Sequence, residues 1–465
     1  MHNLTSKAFW ILFSDGGAKL FGFFTTIYLA RTLGAEQYGL IALALSILGV
    51  CSWFSDLGIQ TLATRSVAST PPEERNPAQF FWMKVTLSLL VLSVSAAAVW
   101  ILLANQPVLR ILVLLFILSL FPQSLQLDWY YNGIQEFKYV TASKWVQGAV
   151  YLGGLVLFVA REDLYLVPVV YAVSILAGAS VMLLSYRGEH SLLQHPAIEK
   201  WPADIRNSFF LGAGHFMAQS IILLPPIAIG FFLTETDVGY YSVSMKLVLA
   251  IMLADRIIST LLLSNLPRLR SEQPEAFQDQ LEIVCRWMVV LGSMGTIFLA
   301  FSAGWIIPFL FGNEYASSIS VLQILSFVLP VTFLNTVFTY GLISLGRDRE
   351  FMRATLYGGL ATTLLIIVSG FTSQLILMVA AVVLGEIIIT FTIYKMLQSF
   401  QNISLWSFLL VSIALLTGII LPGIYLDLPS LLMLPAGLIL YPGLLLLSRS
   451  LTLSDLRWMK RRVTQ

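Results

Sequence analysis

Charge is scarce in this sequence. Only 11% of the 465 residues are Asp, Glu, Lys or Arg, and 57% are hydrophobic, whereas soluble domains carry roughly one quarter charged residues. A soluble fold is therefore excluded. Apolar runs of about 20 residues recur along the chain, and each is long enough to cross a hydrocarbon core of about 30 Å. The sequence predicts an all-α polytopic membrane protein with about 14 transmembrane helices.

Three other absences narrow the function. The two cysteines, Cys51 and Cys285, lie far apart, which excludes a disulfide framework and a metal site of closely spaced thiolates. The GxxxxGK[ST] pattern of a phosphate-binding loop does not occur, so direct ATP coupling within this chain is not expected. No polar stretch is long enough for a soluble catalytic domain. We therefore expect a protein that is not an enzyme and that uses no cofactor.

The distribution of Lys and Arg predicts the orientation. When the loops alternate from a cytoplasmic N-terminus, most of the 27 cations fall on the cytoplasmic side. The positive-inside rule then places both termini in the cytoplasm. Only Arg31, Arg110 and Arg161 fall outside, and the cations that fall within spans are Lys19, Lys246 and Arg256.

An acidic turn followed by glycine occurs once in each half of the chain. LGAEQYGLIALALS begins at Leu33, and LTETDVGYYSVSMK begins at Leu233. The repeat predicts two six-span halves of the same orientation, with a substrate site at their interface. The predicted divisions are an N-terminal bundle (1–206), a C-terminal bundle (207–400) and two additional transmembrane helices with a basic cytoplasmic tail (401–465).

Ionisable residues inside the predicted spans suggest a transport pathway. Asp15, Lys19, Gly22 and Thr26 follow each other at spacings of four, three and four, so they share one helix face. A charge at membrane depth costs at least roughly 2.5 to 3.5 kcal/mol and normally faces a bundle interior or a wet cavity. Cations in such a cavity suit an anionic head group such as a pyrophosphate. The predicted head-group residues are Lys19, Lys246 and Arg256.

The acids within the spans leave two roles open. They either form ion pairs with the span cations or bind a coupling proton or sodium ion. The acids concerned are Asp15, Asp56 and Asp255, and the repeat places Arg256 opposite Asp56. Glu386, in a later span, has no partner that the sequence can assign.

Five segments stand out in order along the chain: YLARTLGAEQYG from Tyr28, DWYYNGIQEFKYVTASKW from Asp128, TDVGYYSVSMK from Thr236, FGNEYASSISVLQIL from Phe311 and GLISLGRDREFMRATL from Gly341. They resemble segments of the polysaccharide-transporter flippases, which belong to the multidrug, oligosaccharidyl-lipid and polysaccharide exporter superfamily. Each segment alone is a loose pattern, whereas five in the family's order are much more specific.

The stretch from Trp129 to Gly133 resembles the aromatic-aromatic-aromatic-Gln-Gly sequence of Wzx-type O-antigen flippases, with Asn132 in place of the usual Gln. Two roles are open for its aromatic residues. They belong to the aromatic belt at a membrane interface, or they stack against a sugar. The candidate sugar contacts are Trp129, Tyr130 and Tyr131.

The resemblance implies a fold and a task. The implied fold has two parallel six-helix bundles in a V around a central cavity, plus two C-terminal helices. The implied task is to carry undecaprenyl-pyrophosphate-linked oligosaccharide from the cytoplasmic to the outer leaflet of a cell (inner) membrane by alternating access, driven by an ion gradient or the membrane potential. The products would serve O-antigen, capsule or exopolysaccharide synthesis. The implied partners are membrane lipids and the polysaccharide polymerase and chain-length machinery, with no nucleic acid.

Two other functions compete with this hypothesis. A cation-coupled multidrug exporter of the same superfamily would favour acidic cavity residues, whereas the cations within the spans favour an anionic head group. An integral-membrane glycosyltransferase or polymerase would need an external domain or large loop to hold its acceptor, and the predicted outer loops are only a few residues long.

Overall fold

The computed structural model describes residues 2–160, 163–188, 191–263, 266, 270, 274–401, 405–426, 429–448 and 450–451, and all regular secondary structure within them is helical. The helices before residue 240 are α1 (His2–Asp56), α2 (Ile59–Ser69), α3 (Pro77–Leu102), α4 (Pro107–Ile117), α5 (Leu120–Ser124), α6 (Asp128–Gly133), α7 (Phe137–Phe158), α8 (Leu166–Leu184), α9 (Trp201–Phe232) and the start of α10 (Glu235–Leu263). The later helices are α11 (Pro274–Phe311), α12 (Ser318–Leu325), α13 (Val328–Ser344), α14 (Asp348–Gly370), α15 (Leu375–Gln398), α16 (Trp406–Tyr425) and α17 (Ser430–Leu447).

Most of these helices are of membrane-spanning type. Within the described residues, ten helical segments are long and apolar enough to cross a membrane, and α9 and α17 add shorter apolar stretches. The 55-residue helix α1 contains two segments, because Gly34 leaves the helical conformation at φ 81° and ψ 176°. The predicted all-α polytopic fold is confirmed, with a helix count that is approximate.

The chain forms two compact units. The first unit comprises Met1–Gly239 and the second Tyr240–Gln465. In the first unit α7 packs along both α1 and α8, and in the second α14 packs along α15 and α11 along α13. The repeat boundary after residue 206 and the V-shaped arrangement around a cavity stay predictions.

The two copies of the repeated turn meet within the first unit. A Cβ atom added to Gly39 would lie 1.7 Å from the carbonyl oxygen of Glu235, and one added to Gly239 would lie 2.2 Å from that of Ala35. Real Cβ atoms do not approach a carbonyl oxygen this closely. The glycines shared by the two turns therefore allow two helix starts to touch backbone to backbone.

The short helix α6 is anchored in the core of the first unit. The side chains of Trp129 and Tyr131 are buried, and the Tyr131 hydroxyl donates a hydrogen bond to the Met182 carbonyl oxygen at 2.8 Å. Residues of α2, α3, α7 and α8 surround these rings. This anchoring fixes the positions of Asp128 and Tyr130, which line two different polar pockets.

Candidate functional site

A break between α1 and α2 creates the first wall of a polar pocket. Leu57 and Gly58 both have positive φ, at 44° and 83°, so the helix stops at Asp56 and restarts at Ile59. A Cβ on Gly58 would lie 2.4 Å from the Ser208 carbonyl oxygen of α9. Glycine is required here both for its conformation and for the close approach of α9.

A second break lies opposite. The candidate membrane span Pro107–Ser124 contains α4 and α5, and three residues separate α5 from α6. Both breaks directly follow candidate membrane spans, and irregular backbone needs hydrogen-bond partners from protein or from water in a cavity. Discontinuous helices of this kind form the binding sites of many transporters.

The two breaks enclose a pocket of about 170 Å³ within the first unit. Every residue that lines it is polar or charged, and five helices contribute. At about 30 Å³ for each water, it has room for roughly five or six waters, or for one group of the size of a single sugar ring. The lining residues are Ser52, Ser55, Asp56, Gln60, Lys84, Ser88, Gln123, Ser124, Gln126 and Asp128.

Lys84 is the cation of this pocket. It lies on α3, a candidate membrane span that begins at Pro77, and it is only 8% exposed. Its Nζ atom lies 3.4 Å from Asp56 Oδ1. The interpretation that Lys19, Lys246 and Arg256 are the only span cations therefore omitted Lys84.

The sequence at the start of α3 indicates that Lys84 lies within the span. The Asn76 side chain accepts a hydrogen bond from the Gln79 backbone N–H, and Pro77 occupies the first helical turn. Asn before Pro is a typical helix start. Starting the span there places Lys84 two turns inside it, so the sequence could have included this cation.

Asp56 is held by the backbone as well as by Lys84. Its Oδ2 accepts the Gly58 N–H and its Oδ1 accepts the Gln60 N–H, both at 3.2 Å. The carboxylate thus caps the start of α2, where a negative charge is favoured. Among the described residues its ion-pair partner is Lys84; the side chain of Arg256, the partner that the repeat suggested, lies outside that part of the structure.

Asp128 supplies the second carboxylate of the pocket. It lies at the start of α6, outside the candidate membrane spans. Burial raises the pKa of this carboxyl above its ordinary value, while Lys144 and Lys84 act in the opposite direction. The pocket thus holds one carboxylate that is firmly paired and one whose charge depends on nearby cations.

Amide and hydroxyl groups complete the lining. Ser52 donates from its Oγ to Gln123 Oε1 at 3.0 Å, and Gln126 donates from its Nε2 to Gln147 Oε1 at 3.3 Å. Serine and glutamine side chains can both donate and accept, which matches the hydroxyl groups of a sugar. Lys84 adds the positive charge that a phosphate group needs.

A second polar pocket, of about 280 Å³, lies on the other side of α6. It is also within the first unit and contains two arginines. Arg75 donates from its Nε to the Thr70 carbonyl oxygen at 3.0 Å, which leaves its terminal nitrogens available for other acceptors. The lining residues are Pro72, Arg75, Pro77, Tyr130, Ile134, Glu136, Tyr186, Arg187 and Gly188.

The aromatic residues predicted to contact sugar divide between core and pocket. Trp129 and Tyr131 are packed in the core, so their rings present no open face in this structure. Tyr130 is 7% exposed and lines the larger polar pocket beside Tyr186. Sugar contact stays a prediction, and Tyr130 is the residue of the three that is placed for it.

The predicted span cations lie in different settings. Lys19 is exposed on α1. Lys246 is half-buried on α10, and no hydrogen bond or ion pair joins its side chain to the described residues. The side chains of Asp15 and Arg256 lie outside the described part of the structure. Their roles as head-group or coupling residues stay predictions.

The second unit contains Asp255 and Glu386, and both acids accept hydrogen bonds from side chains of α13. Asp255 accepts a hydrogen bond from Thr336 at 2.9 Å, and Glu386 accepts hydrogen bonds from Thr332 and Asn335. Sequence reasoning left Glu386 without partners. Among the described residues, no group of three or more His, Cys, Asp or Glu could hold a metal ion.

An apolar groove of about 360 Å³ also lies in the second unit. Helices α11, α13, α15 and α16 form its walls, and almost no polar surface lines it. Phe327, Phe338, Phe391 and Trp406 are among its lining residues. Its chemistry suits a hydrocarbon chain, whereas both pockets of the first unit suit a polar group.

The comparisons with known proteins identify the family. A family model described as "Polysaccharide biosynthesis protein" matches residues 4–269. The chain belongs to this family. The resemblance to polysaccharide transporters is confirmed.

The proteins that this chain resembles in sequence or in fold include transporters and a flippase. The Escherichia coli (strain K12) protein named "Putative O-antigen transporter" is 20% identical over 390 residues, which cover 78% of this chain and 89% of that protein. The structure of "Lipid II flippase MurJ, inward closed conformation" has a TM-score of 0.73 at 12% identity, over 93% of this chain and 98% of that chain. An inward-facing multidrug resistance MATE family transporter of the MOP superfamily has a TM-score of 0.68 at 11% identity, over 82% of this chain and 94% of that one. The two structures show the fold alone, and none of the three proteins is described as an enzyme.

Proposed function

We propose that this protein is a flippase for lipid-linked oligosaccharides, which moves undecaprenyl-pyrophosphate-linked repeat units from the cytoplasmic to the outer leaflet. The observation that carries the proposal is the pocket around Lys84, whose lining residues are all polar or charged although its walls include membrane-spanning helices. A chain that belongs to a polysaccharide biosynthesis family and builds such a pocket is suited to hold a sugar or phosphate group inside the membrane.

The two kinds of cavity match the two ends of such a substrate. A lipid-linked sugar has a hydrophilic head and a long hydrocarbon chain. The polar pockets of the first unit offer Lys84, Arg75 and Arg187 to phosphate oxygens. The apolar groove of the second unit offers a surface for the chain. Each cavity is described within its own unit, and the proposal requires only that one substrate can use both chemistries.

Translocation requires the head group to exchange between the two sides of the membrane. We assign this to alternating access, in which the site opens to one side at a time. Cytoplasmic termini, as the positive-inside rule predicts, would place the basic tail in the compartment where lipid-linked sugars are assembled. An ion gradient or the membrane potential would supply the driving force, and a polymerase with its chain-length machinery would receive the product.

A multidrug exporter is the second candidate, because a MATE transporter shares the fold. Cationic drugs would be repelled by a pocket cation. The polar pockets of the first unit contain the acids Asp56, Asp128 and Glu136, of which Asp56 pairs with Lys84 and Glu136 with Lys138. Arg75 and Arg187 form no ion pair with the described residues. Charge complementarity therefore favours an anionic substrate.

The test uses purified full-length protein in liposomes that contain a labelled undecaprenyl-pyrophosphate oligosaccharide. A membrane-impermeant glycosidase added outside reports the fraction of head groups that reach the outer leaflet. We expect faster exposure than in protein-free liposomes, with no new sugar-transfer product. No acceleration would contradict the flippase, extrusion of a cationic dye instead would favour the multidrug exporter, and elongated sugar products would favour an enzyme.

A further inference from the structure

Two carboxylates are buried against a single helix of the second unit. Asp255 of α10 is 8% exposed and Glu386 of α15 is 4% exposed, and both lie in candidate membrane spans. A buried carboxylate is costly unless it is paired, hydrogen-bonded or neutralised. Neither acid forms an ion pair with any described residue. Their charge must therefore be managed by hydrogen bonds or by a proton.

The helix between them, α13, presents a polar stripe. Thr332, Asn335, Thr336 and Thr339 are spaced by three, one and three residues, so they lie on one face of the helix. Glu386 contacts the first two and Asp255 contacts the third. The two acids thus share a single row of hydrogen-bonding side chains.

Two side chains of α13 donate hydrogen bonds to Glu386. Its Oε1 accepts from Thr332 Oγ1 at 3.0 Å and from Asn335 Nδ2 at 3.3 Å. Thr339 donates to Asn335 Oδ1 at 3.2 Å, which turns the amide nitrogen of Asn335 toward Glu386. Two donors on one oxygen stabilise the ionised form. These two hydrogen bonds hold the Glu386 side chain against α13.

Asp255 lacks such support. Its Oδ2 accepts one hydrogen bond from Thr336, and its Oδ1 is buried without any partner. An ionised carboxylate with a bare oxygen in a low-dielectric interior loses its hydration without replacement. As a neutral acid, the same group leaves only a carbonyl oxygen unsatisfied, which costs less. The setting of Asp255 therefore favours a bound proton.

The Thr336 hydroxyl can serve both states of Asp255. Its Oγ1 lies 2.9 Å from Asp255 Oδ2 and 3.1 Å from the Thr332 carbonyl oxygen, yet it has a single hydrogen to donate. When Asp255 is ionised, that hydrogen points to Oδ2. When Oδ2 carries a proton, Asp255 donates to Thr336, and the Thr336 hydrogen turns to the Thr332 carbonyl.

We infer that Asp255, Thr336 and Glu386 form a proton-binding site in the second unit. The proton binds at Asp255 Oδ2 and converts the carboxylate to a carboxylic acid. No other covalent bond changes, because Thr336 only reorients its hydroxyl. Glu386 accepts hydrogen bonds from the same face of α13. Sodium fits less well, since it requires several oxygen ligands, while Asp255 Oδ1 is the acceptor atom that the network leaves unused.

The surrounding helices carry other charged and titratable groups. None of them is joined to Asp255 by a hydrogen bond or ion pair within the described residues, and the side chains of Arg256, Glu275 and Asp348 lie outside that part. These groups are Glu235, Asp237, Tyr240, Tyr241, Lys246 and Arg256 on α10, Glu275, Asp279, Glu282, Cys285 and Arg286 on α11, Tyr340 on α13, Asp348, Arg349, Glu350, Arg353 and Tyr357 on α14, and Tyr394 and Lys395 on α15.

The role of the site rests on the proposed function, since a proton bound here would couple translocation to a proton gradient. Proton binding itself can be measured without substrate. The purified full-length protein is titrated with pH in lipid nanodiscs, and infrared difference spectra follow the C=O stretch of protonated carboxyl groups in H₂O and in D₂O. We expect a titrating band in the wild type that Asp255→Asn removes and the matched variant Glu386→Gln retains.

A band that survives in Asp255→Asn, or that disappears in Glu386→Gln while it persists in Asp255→Asn, would overturn the assignment. Stoichiometric binding of radioactive sodium that Asp255→Asn abolishes would overturn it in favour of a sodium site. If wild-type liposomes show no flipping while the band behaves as expected, the proposed function fails and the proton site stands.

Thr336→Val keeps the Asp255 carboxyl group. This variant tests the proton site if Asp255→Asn does not fold. Valine removes the one donor to ionised Asp255, and a hydrogen bond to a charged group is worth more than one between neutral groups. We expect the midpoint of the band to move to higher pH by about one unit, or about tenfold in proton affinity. An unchanged or lower midpoint would contradict the proposal.

Discussion

The two units solve the problem of membrane-embedded charge in different ways. In the first unit, Lys84 and Asp56 neutralise each other at 3.4 Å beside a pocket of about 170 Å³. In the second, Asp255 and Glu386 are buried with hydrogen-bond donors and no described cation partner. The first arrangement leaves room for a polar group of several atoms, whereas the second leaves one bare oxygen. The difference suggests a substrate site in one unit and a proton site in the other.

A substitution at Gly58, in the break that forms one wall of the pocket, should have the largest effect on stability. Alanine at Gly58 would adopt a left-handed conformation, at about 1–2 kcal/mol, and its Cβ would overlap the Ser208 carbonyl oxygen, at about 1–3 kcal/mol more. We expect Gly58→Ala to lower the Tm of the purified protein in detergent. The matched control is Gly346→Ala in the second unit, where φ is also positive but no atom lies within 4 Å of the added Cβ. Equal Tm losses in the two variants would contradict the close packing at Gly58.

The ion pair of the first unit should show the next largest effect. Breaking a buried pair by removal of one partner costs about 3–5 kcal/mol, and since the Asp56 side chain is 30% exposed, we expect about 1–3 kcal/mol for Lys84→Met. The double variant Lys84→Met/Asp56→Asn should recover part of this loss, because it leaves no unpaired charge. Thermal denaturation of the two variants gives the comparison, and a double variant that is no more stable than Lys84→Met would argue against the pair.

The fold and the family could be predicted from the sequence, but the ion pair between Lys84 and Asp56 could not. Hydrophobic run lengths predicted the polytopic fold, and the ordered segments predicted the family. Asp56 and Asp255 were recognised as span acids because they interrupt apolar runs. This contact between Asp56 and Lys84 depends on where α3 begins and on the break after Asp56. The break brings two helices together that are separate in the sequence.

In the second unit, too, the contacts between helices could not be predicted from the sequence. The polar row on α13 is visible in the sequence as Thr332, Asn335, Thr336 and Thr339. Which acids face that row depends on how α10 and α15 pack around α13, and helix pairing leaves no local pattern. The burial of Trp129 and Tyr131 could not be predicted either, because an aromatic belt at a membrane interface and a protein core contain the same residue types.

Neutralisation of an acid in the second unit should have the smallest effect on stability. Glu386→Gln removes a carboxyl group that has no described cation partner, and the new side-chain oxygen can still accept from Thr332 and Asn335. We expect a change within about 1 kcal/mol of the wild type. A Tm loss as large as that of Lys84→Met would show that Glu386 has an ionic partner and would remove the contrast between the two units.

The most direct test of the substrate site is the rate of head-group translocation for Lys84→Met in liposomes. Lys138→Met is the matched control, since Lys138 is an exposed cation of the same unit that pairs with Glu136 at 3.0 Å. At equal amounts of folded protein, we predict at least about a tenfold loss for Lys84→Met, as expected when a charge-assisted contact worth about 1.5 kcal/mol or more is lost, and a rate near wild type for Lys138→Met. Equal rates for Lys84→Met and the wild type would contradict the assignment of this pocket to the substrate.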